Sequence, residues 1–190
     1  FAGALVHVLN HAVFKSLLFM GAGAILRATT TREIDLLGGL MQRMPRVAWP
    51  FLTGATAITG LPPLNGFVSE FLIFMSAFAS LTTPAPMPLL LSAVLTIAAL
   101  ALVGGLASAC FAKVFGVVFL GAPRSPQAAD ATRPGHLLYS PMMVLAMACI
   151  VLGLGAPWVL QAVTPAVLVV LAPAGMALPE ARWFGWAVVD

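Results

Sequence analysis

His7, His11 and Lys15 stand four residues apart inside one apolar run. On an α-helix each such step turns about 400° and climbs about 6 Å, so the three drift only about 80° around the axis and line one face. Asn10 adds a polar neighbour three residues after His7. Glu70 stands just beyond the segment Gly60-Leu61-Pro62-Pro63-Leu64-Asn65-Gly66, and Lys113 sits in a third apolar run. An ionisable side chain at the centre of a bilayer costs about 2.5–3.5 kcal/mol on insertion scales, so each of these residues needs a reason to be there. Burial in a low dielectric disfavours the charged form of an amine and of a carboxyl alike. A lysine and a glutamate held in oil can therefore exchange a proton near neutral pH, with His7, His11 and trapped water as relays. If the two charges approach, they titrate as a pair.

Plainer roles compete at each position. The histidines could simply hydrogen-bond a neighbouring helix. Lys113 lies eight residues before Gly121, near enough to an interface to snorkel, whereas a mid-span Lys15 stem reaches neither interface easily. A haem or zinc site would need further ligands, and none lies nearby, so no metal and no cofactor are expected in this chain. Cys110 and Cys149 fall in different apolar runs and read as two packed thiols.

Glu70 follows a helix break. Pro62 and Pro63 cannot continue a helix and remove two donors, while Gly60 and Gly66 permit unusual backbone angles. Unwound backbone at membrane depth is tolerated only where it is buried in protein or lines water, and broken helices beside a charged residue mark transport sites. A kink that only shapes packing would not need Asn65 and Glu70 with it.

The elements that position these residues belong to a membrane. Of 190 residues 61% are apolar and 8% charged, with a mean hydropathy of +1.05. A soluble domain carries about 25% charged residues, so a soluble enzyme, a nucleic-acid binder and a disordered segment are excluded. Uninterrupted apolar runs point to a polytopic, all-α transmembrane bundle. Four stretches can be bounded: Phe1 to Ala28; Val47 to Leu81 with the break inside it; Met87 to Gly121; and Leu137 to Gly155, weakening beyond Pro157 and Pro165. Gly21 with Gly23, and Gly104-Gly105 with Ser108, offer small surfaces for close helix packing. Both ends of the chain are apolar, so it reads as a fragment of a larger membrane protein, with 156–190 a truncated apolar extension.

Charge sets the orientation. The net charge of +3 sits mostly in two connections: Arg27, Arg32, Arg43 and Arg46 crowd the first, Arg124 and Arg133 the third, and Thr82 to Met87 between them carries none. The positive-inside rule then places connections one and three in the cytoplasm and makes the broken stretch a single interrupted crossing. In the first connection Thr30 and Glu33 fit a capping box. Ile34, Leu37, Leu40, Met41 and Met44 repeat at helical spacing, suggesting a short interfacial helix weakened by Gly38-Gly39.

The run from His7 to Phe19, HVLNHAVFKSLLF, resembles a membrane helix of the antiporter-like subunits of respiratory complex I, Mrp-type cation/proton antiporters and membrane-bound hydrogenases. Thr31 to Leu40 is similar to that family's following connection, and Gly60 to Glu70 to its discontinuous helix. Ala109 to Arg124 resembles most the large membrane subunit of formate hydrogenlyase and hydrogenase-4. The resemblance covers residues 1–155. It implies an inverted-repeat protein of which this chain holds the later part of the second repeat. Lys15 would be a central-axis lysine and Glu70 the charged group ending a half-channel, a position that is Lys in some relatives.

The implied function is proton translocation within a redox-driven complex, with other membrane subunits and a peripheral redox arm as partners, in a bacterial or archaeal cytoplasmic membrane. Moving one charge across a membrane involves about 2.3 kcal/mol per 100 mV, and nothing in these residues supplies that drive. A stand-alone Na⁺/H⁺ antiporter subunit and a structural membrane anchor are the alternatives.

Overall fold

The computed structural model describes residues 2–133 and 135–171, together with 182–183 and 186–187. Hydrocarbon offers no partner to a free N–H or C=O, so each apolar stretch closes its own hydrogen bonds as a helix. The first is α1, Ala2–Thr29. The second is split into α3, Pro45–Ile58, and α4, Asn65–Thr82. The third is α5, Met87–Phe119, and the fourth α7, His136–Leu154. The helices α1, α4, α5 and α7 are long and apolar enough to cross a membrane, and the chain is a multi-pass membrane protein. Two four-residue helices, α2 (Leu40–Arg43) and α6 (Pro126–Ala129), lie in the connections.

The broken stretch is one crossing. Both of its limbs run antiparallel along α1. Leu72 and Ile73 of α4 lie against Gly3, Leu17 and Leu18 against Gly54 of α3, and Phe51 of α3 against Gly21. The core is built on this pairing. Phe14, Leu17 and Leu18 of α1 pack with Val47 and Phe51 of α3, Phe119 of α5, and Met142 and Cys149 of α7. Gly21 makes the close contact its small size suggested, since a Cβ there would stand 2.6 Å from the Phe51 ring. Gly23, Gly104 and Gly105 meet nothing within 4 Å, and Cys110 is exposed on α5 rather than packed.

The first connection differs from the expected interfacial helix. Because α1 continues to Thr29, Thr30 is consumed in ending it, with φ 55° and its hydroxyl donating to the Thr29 carbonyl at 2.8 Å. Thr31 therefore replaces Thr30 as acceptor from the Glu33 N–H, at 3.2 Å. A three-residue 3₁₀ turn, Ile34–Leu36, follows, and Gly38 and Gly39, both at positive φ, separate it from α2. The apolar side chains are used all the same: Leu37, Leu40 and Met44 are buried in the core.

Connections one and three meet at the same end of the bundle. The Gly39 N–H donates to the Leu120 carbonyl at 3.0 Å, and the Arg124 guanidinium donates to the carbonyls of Leu37 at 3.3 Å and Val117 at 3.1 Å. A Cβ on Gly38 would sit 2.5 Å from the Ala122 carbonyl oxygen, so glycine allows the two backbones this approach. The two connections thus share one end of the bundle, as the charge pattern requires.

Beyond Gly155 the chain continues as a separate, shorter helix, α8, Ala156–Leu171, with Pro157 in its first turn and Pro165 inside. Leu160 of α8 is buried against Val6 of α1 and Leu72 of α4. Past Leu171, two-residue strands β1 (Arg182–Trp183) and β2 (Trp186–Ala187) pair antiparallel. The remainder of the 156–190 extension lies outside the described residues.

In a full-length protein freed of Cys110 and Cys149, Arg43→Cys and Arg124→Cys should react with a membrane-impermeant thiol reagent only from the cytoplasmic side. Pro84→Cys should react only from the opposite side. Labelling of Arg43→Cys and Pro84→Cys from one side would make the broken stretch a hairpin of two crossings.

Candidate functional site: a buried polar clamp at the helix break

The break spans Thr59 to Leu64. Gly60 turns the chain with φ 66°, the Pro62–Pro63 bond is cis, and Leu64 enters α4 in extended conformation with no side-chain cap. Local bonds satisfy part of the unwound backbone. The Gly60 N–H donates to the Ala57 carbonyl, Leu61 to Thr56 and Leu64 to Leu61, each at 3.2 Å.

Side chains of α1 hold the start of α4. The Asn10 side-chain amide donates to the Asn65 backbone carbonyl at 2.7 Å, and the Asn65 amide returns a bond to Asn10 Oδ1 at 3.2 Å. Both asparagines are essentially inaccessible. One turn on, the Ser69 hydroxyl, also buried, donates to the Gly66 carbonyl at 3.0 Å and lies 3.0 Å from His7 Nδ1. Asn65 Oδ1 has no hydrogen-bond partner. A buried, unpartnered oxygen costs on the order of 1–3 kcal/mol and is where a water or a proton donor would be received.

Two glycines let the backbones close on the break. A Cβ on Gly66 would overlap the Ala57 carbonyl at the end of α3. A Cβ on Gly153 of α7 would overlap the Pro63 carbonyl and crowd the Asn65 nitrogen. The Glu70 carboxyl folds back against Gly60, so the acid lies beside the left-handed turn of the break, half-buried.

The α1 stripe divides. His7 is half-buried and touches α4 through Ser69, while His11 and Lys15 are exposed on the chain's outer face. The His7 and His11 rings lie 6.1 Å apart, and both approach Phe14 edge-on. The Lys15 ammonium sits over the Phe19 ring at 5.6 Å, at a shallow apolar hollow of about 220 Å³ bounded by Phe51 and Phe111. The cause is the drift of about 40° per i+4 step: two steps carry Lys15 out of the groove that holds His7. The sequence Asn10, Phe14, Leu17 and Gly21 mixes steps of three and four and stays inside it. Among the described residues the structure does not join Lys15 to Glu70. Lys113 is exposed on α5, six residues before that helix ends.

Ser69 and Gly153 are site residues that sequence reasoning passed over. Ser69 carried a signal, since it directly precedes Glu70 and lies one helical turn after Asn65. Gly153 carried none, because a glycine in an apolar run does not say which backbone it will meet.

Residues 1–96 match the family described as NADH:quinone oxidoreductase/Mrp antiporter, TM. The chain is 42% identical to formate hydrogenlyase subunit 3 of Escherichia coli over 94% of its own length and 29% of that protein's. It is 44% identical to hydrogenase-4 component B of the same organism, covering 82% of this chain and 23% of that one. It is 33% identical to a Na⁺/H⁺ antiporter subunit of Alkalihalophilus pseudofirmus, covering 84% and 30%. The chain therefore spans less than a third of the length of these relatives. Among solved structures, the Mrp complex of a Dietzia species superposes with a TM-score of 0.70 at 22% identity, over 84% of this chain and 35% of that one. The archaeal membrane-bound sulfane sulfur reductase superposes with a TM-score of 0.64 at 27% identity, over 80% and 23%. These are subunits of membrane complexes with several components, and the shared fold is the broken-helix bundle.

Asn10→Ala and Asn65→Ala should each destabilise the full-length protein by about 1–3 kcal/mol, because each leaves a buried partner unpaired. The double variant should lose less than the sum, which a double-mutant cycle by thermal unfolding in detergent would measure. Additive losses would mean that the two side chains act independently.

Proposed function

The chain belongs to the NADH:quinone oxidoreductase/Mrp antiporter membrane family, and from that premise we propose that it forms the broken-helix part of a subunit that translocates protons across the membrane. The observation that carries this reading is the clamp itself. A titratable carboxyl, Glu70, lies against unwound backbone within one turn of the buried Ser69 hydroxyl and the half-buried His7 imidazole paired with it. Glu70 holds a proton beside the break. His7 and His11 pass it along α1 toward Lys15, with water bridging the gaps between rings. Asn10, Asn65 and Gly66 keep the break open to that water without letting the bundle come apart. Lys113 is assigned to the end of the path nearest the positive connections.

The drive comes from outside the chain. Over four-fifths or more of the chain, identity to formate hydrogenlyase subunit 3 and hydrogenase-4 component B, at 42% and 44%, exceeds the 33% to one Na⁺/H⁺ antiporter subunit, whereas another such subunit reaches 49% over 71 residues only. This favours a redox-driven complex, in which further membrane subunits flank the chain and a peripheral redox arm holds the cofactors. The exposed face bearing His11 and Lys15 fits such a setting, since a lysine at that depth belongs against protein or water rather than lipid.

In the intact complex, Glu70→Gln and Lys15→Ala should each lower proton transport by roughly a hundredfold or more, the scale of removing a general acid–base group. Subunit assembly on native gels should be unchanged. Full transport in assembled variants would overturn the relay, and a silent Lys15→Met would favour the structural anchor. The 33% identity to a Na⁺/H⁺ antiporter subunit keeps one second reading in play. A Na⁺-dependent collapse of the pH gradient in vesicles lacking any redox partner would select it.

A further inference from the structure

At the end where connections one and three meet, a cleft of about 490 Å³ opens between the last turn of α1 and the start of α7. That volume lies within the range of small-molecule sites, about 300–1,000 Å³. Arg27 projects from α1, Arg133 from the connection and His136 from the first residue of α7, and all three line the cleft. Among the described residues, none of the three is held in an ion pair. The α7 N-terminus carries Gly135 as its cap with no side chain bonded to it; the Leu138 and Tyr139 N–H groups bond to the Gly135 carbonyl, which leaves those of His136 and Leu137 for an anion. The Tyr139 hydroxyl lies 3.1 Å from His136 Nδ1 and the Tyr139 ring receives the Arg46 guanidinium at 5.0 Å, so the imidazole is oriented from behind.

Two further features identify the occupant. Leu137, also lining the cleft, is 94% exposed at the point where α7 enters the membrane. A ligand that meets two arginines on one side and a bare leucine on the other carries both a negative charge and a hydrocarbon chain. We propose that this cleft binds the phosphate of an anionic phospholipid, with the acyl chain running past Leu137. Arg27 and Arg133 supply charge-assisted hydrogen bonds to the phosphate oxygens. The position, a basic pocket between membrane helices on the positive side, is one where lipid headgroups are bound. The site is independent of proton transport, so its test does not depend on the relay.

The intact full-length complex, purified in mild detergent, is titrated with phosphatidylglycerol or phosphatidylcholine and read by native mass spectrometry. The R27Q/R133Q variant should bind phosphatidylglycerol roughly 30-fold more weakly, with phosphatidylcholine binding unchanged. The R32Q/R43Q variant loses the same charge from the same face outside the cleft and should stay within about threefold of the parent. R133Q alone, on an exposed connection, should give part of the loss and carries the test if the double variant fails to assemble. Parent-like binding by R27Q/R133Q, or by R133Q in its place, would overturn the proposal. An equal loss in R32Q/R43Q would overturn it in favour of diffuse attraction. Displacement of the lipid by an equal concentration of inorganic phosphate would make the site one for a free anion and overturn it as well.

Discussion

A helix interrupted at membrane depth leaves backbone groups that neither lipid nor the helix itself can satisfy. Local bonds from the Gly60, Leu61 and Leu64 N–H groups meet part of that demand, and polar side chains pin the start of α4 beside the break. Asn10 reaches across from α1 to the Asn65 carbonyl, Asn65 answers it, and Ser69 takes the Gly66 carbonyl. Glycines at 66 and 153 remove the side chains that would hold α3 and α7 away from the break. The same device that stabilises the interruption makes it useful, because polar groups gathered for structural reasons create the only kind of surface along which water and protons can be held in oil.

The division of the α1 stripe follows from the same geometry. A helix that must keep Asn10 on the break turns Phe14, Leu17 and Gly21 toward α3. His7 shares that side and meets Ser69. Steps of four residues then rotate His11 and Lys15 outward. The chain presents two chemistries on one helix: an inner face that holds the break closed against lipid, and an outer one whose charge needs further protein or water. Spans that carry intramembrane charge are expected to face a bundle interior. The relatives are more than three times longer than the chain, and the outer face of α1 is the surface whose charge the remainder of such a protein would cover.

Most of the architecture was legible in the residues. Helix bounds follow the four apolar stretches because hydrocarbon leaves the backbone no other choice, and the break follows Pro62-Pro63 because they cannot donate. That connections one and three share an end was readable from arginines alone and agrees with the Gly39–Leu120 contact. What escaped depended on partners remote in sequence. The meeting of Gly153 with Pro63, the exposure of Cys110 and the outward turn of Lys15 are set by which helix packs where, and no local pattern encodes that. The expected capping box at Thr30 failed for a local reason: α1 ran further than its apolar stretch suggested and used Thr30 as its terminator.

The positive end links topology to structure in a way that charge counting misses. Arginine in a connection biases orientation whatever its conformation. Here Arg124 also ties the connections together through the Leu37 and Val117 carbonyls, and Arg46 stacks on Tyr139. Those two arginines are committed to the protein, whereas Arg27 and Arg133 are left facing a cleft. Two guanidiniums brought to one cleft by the fold can meet an anion together, which two arginines scattered along a connection cannot. The clasp between connections one and three, built from Gly38, Gly39 and Arg124, thus fixes the end of the bundle at which both the start of α7 and the last turn of α1 must stand.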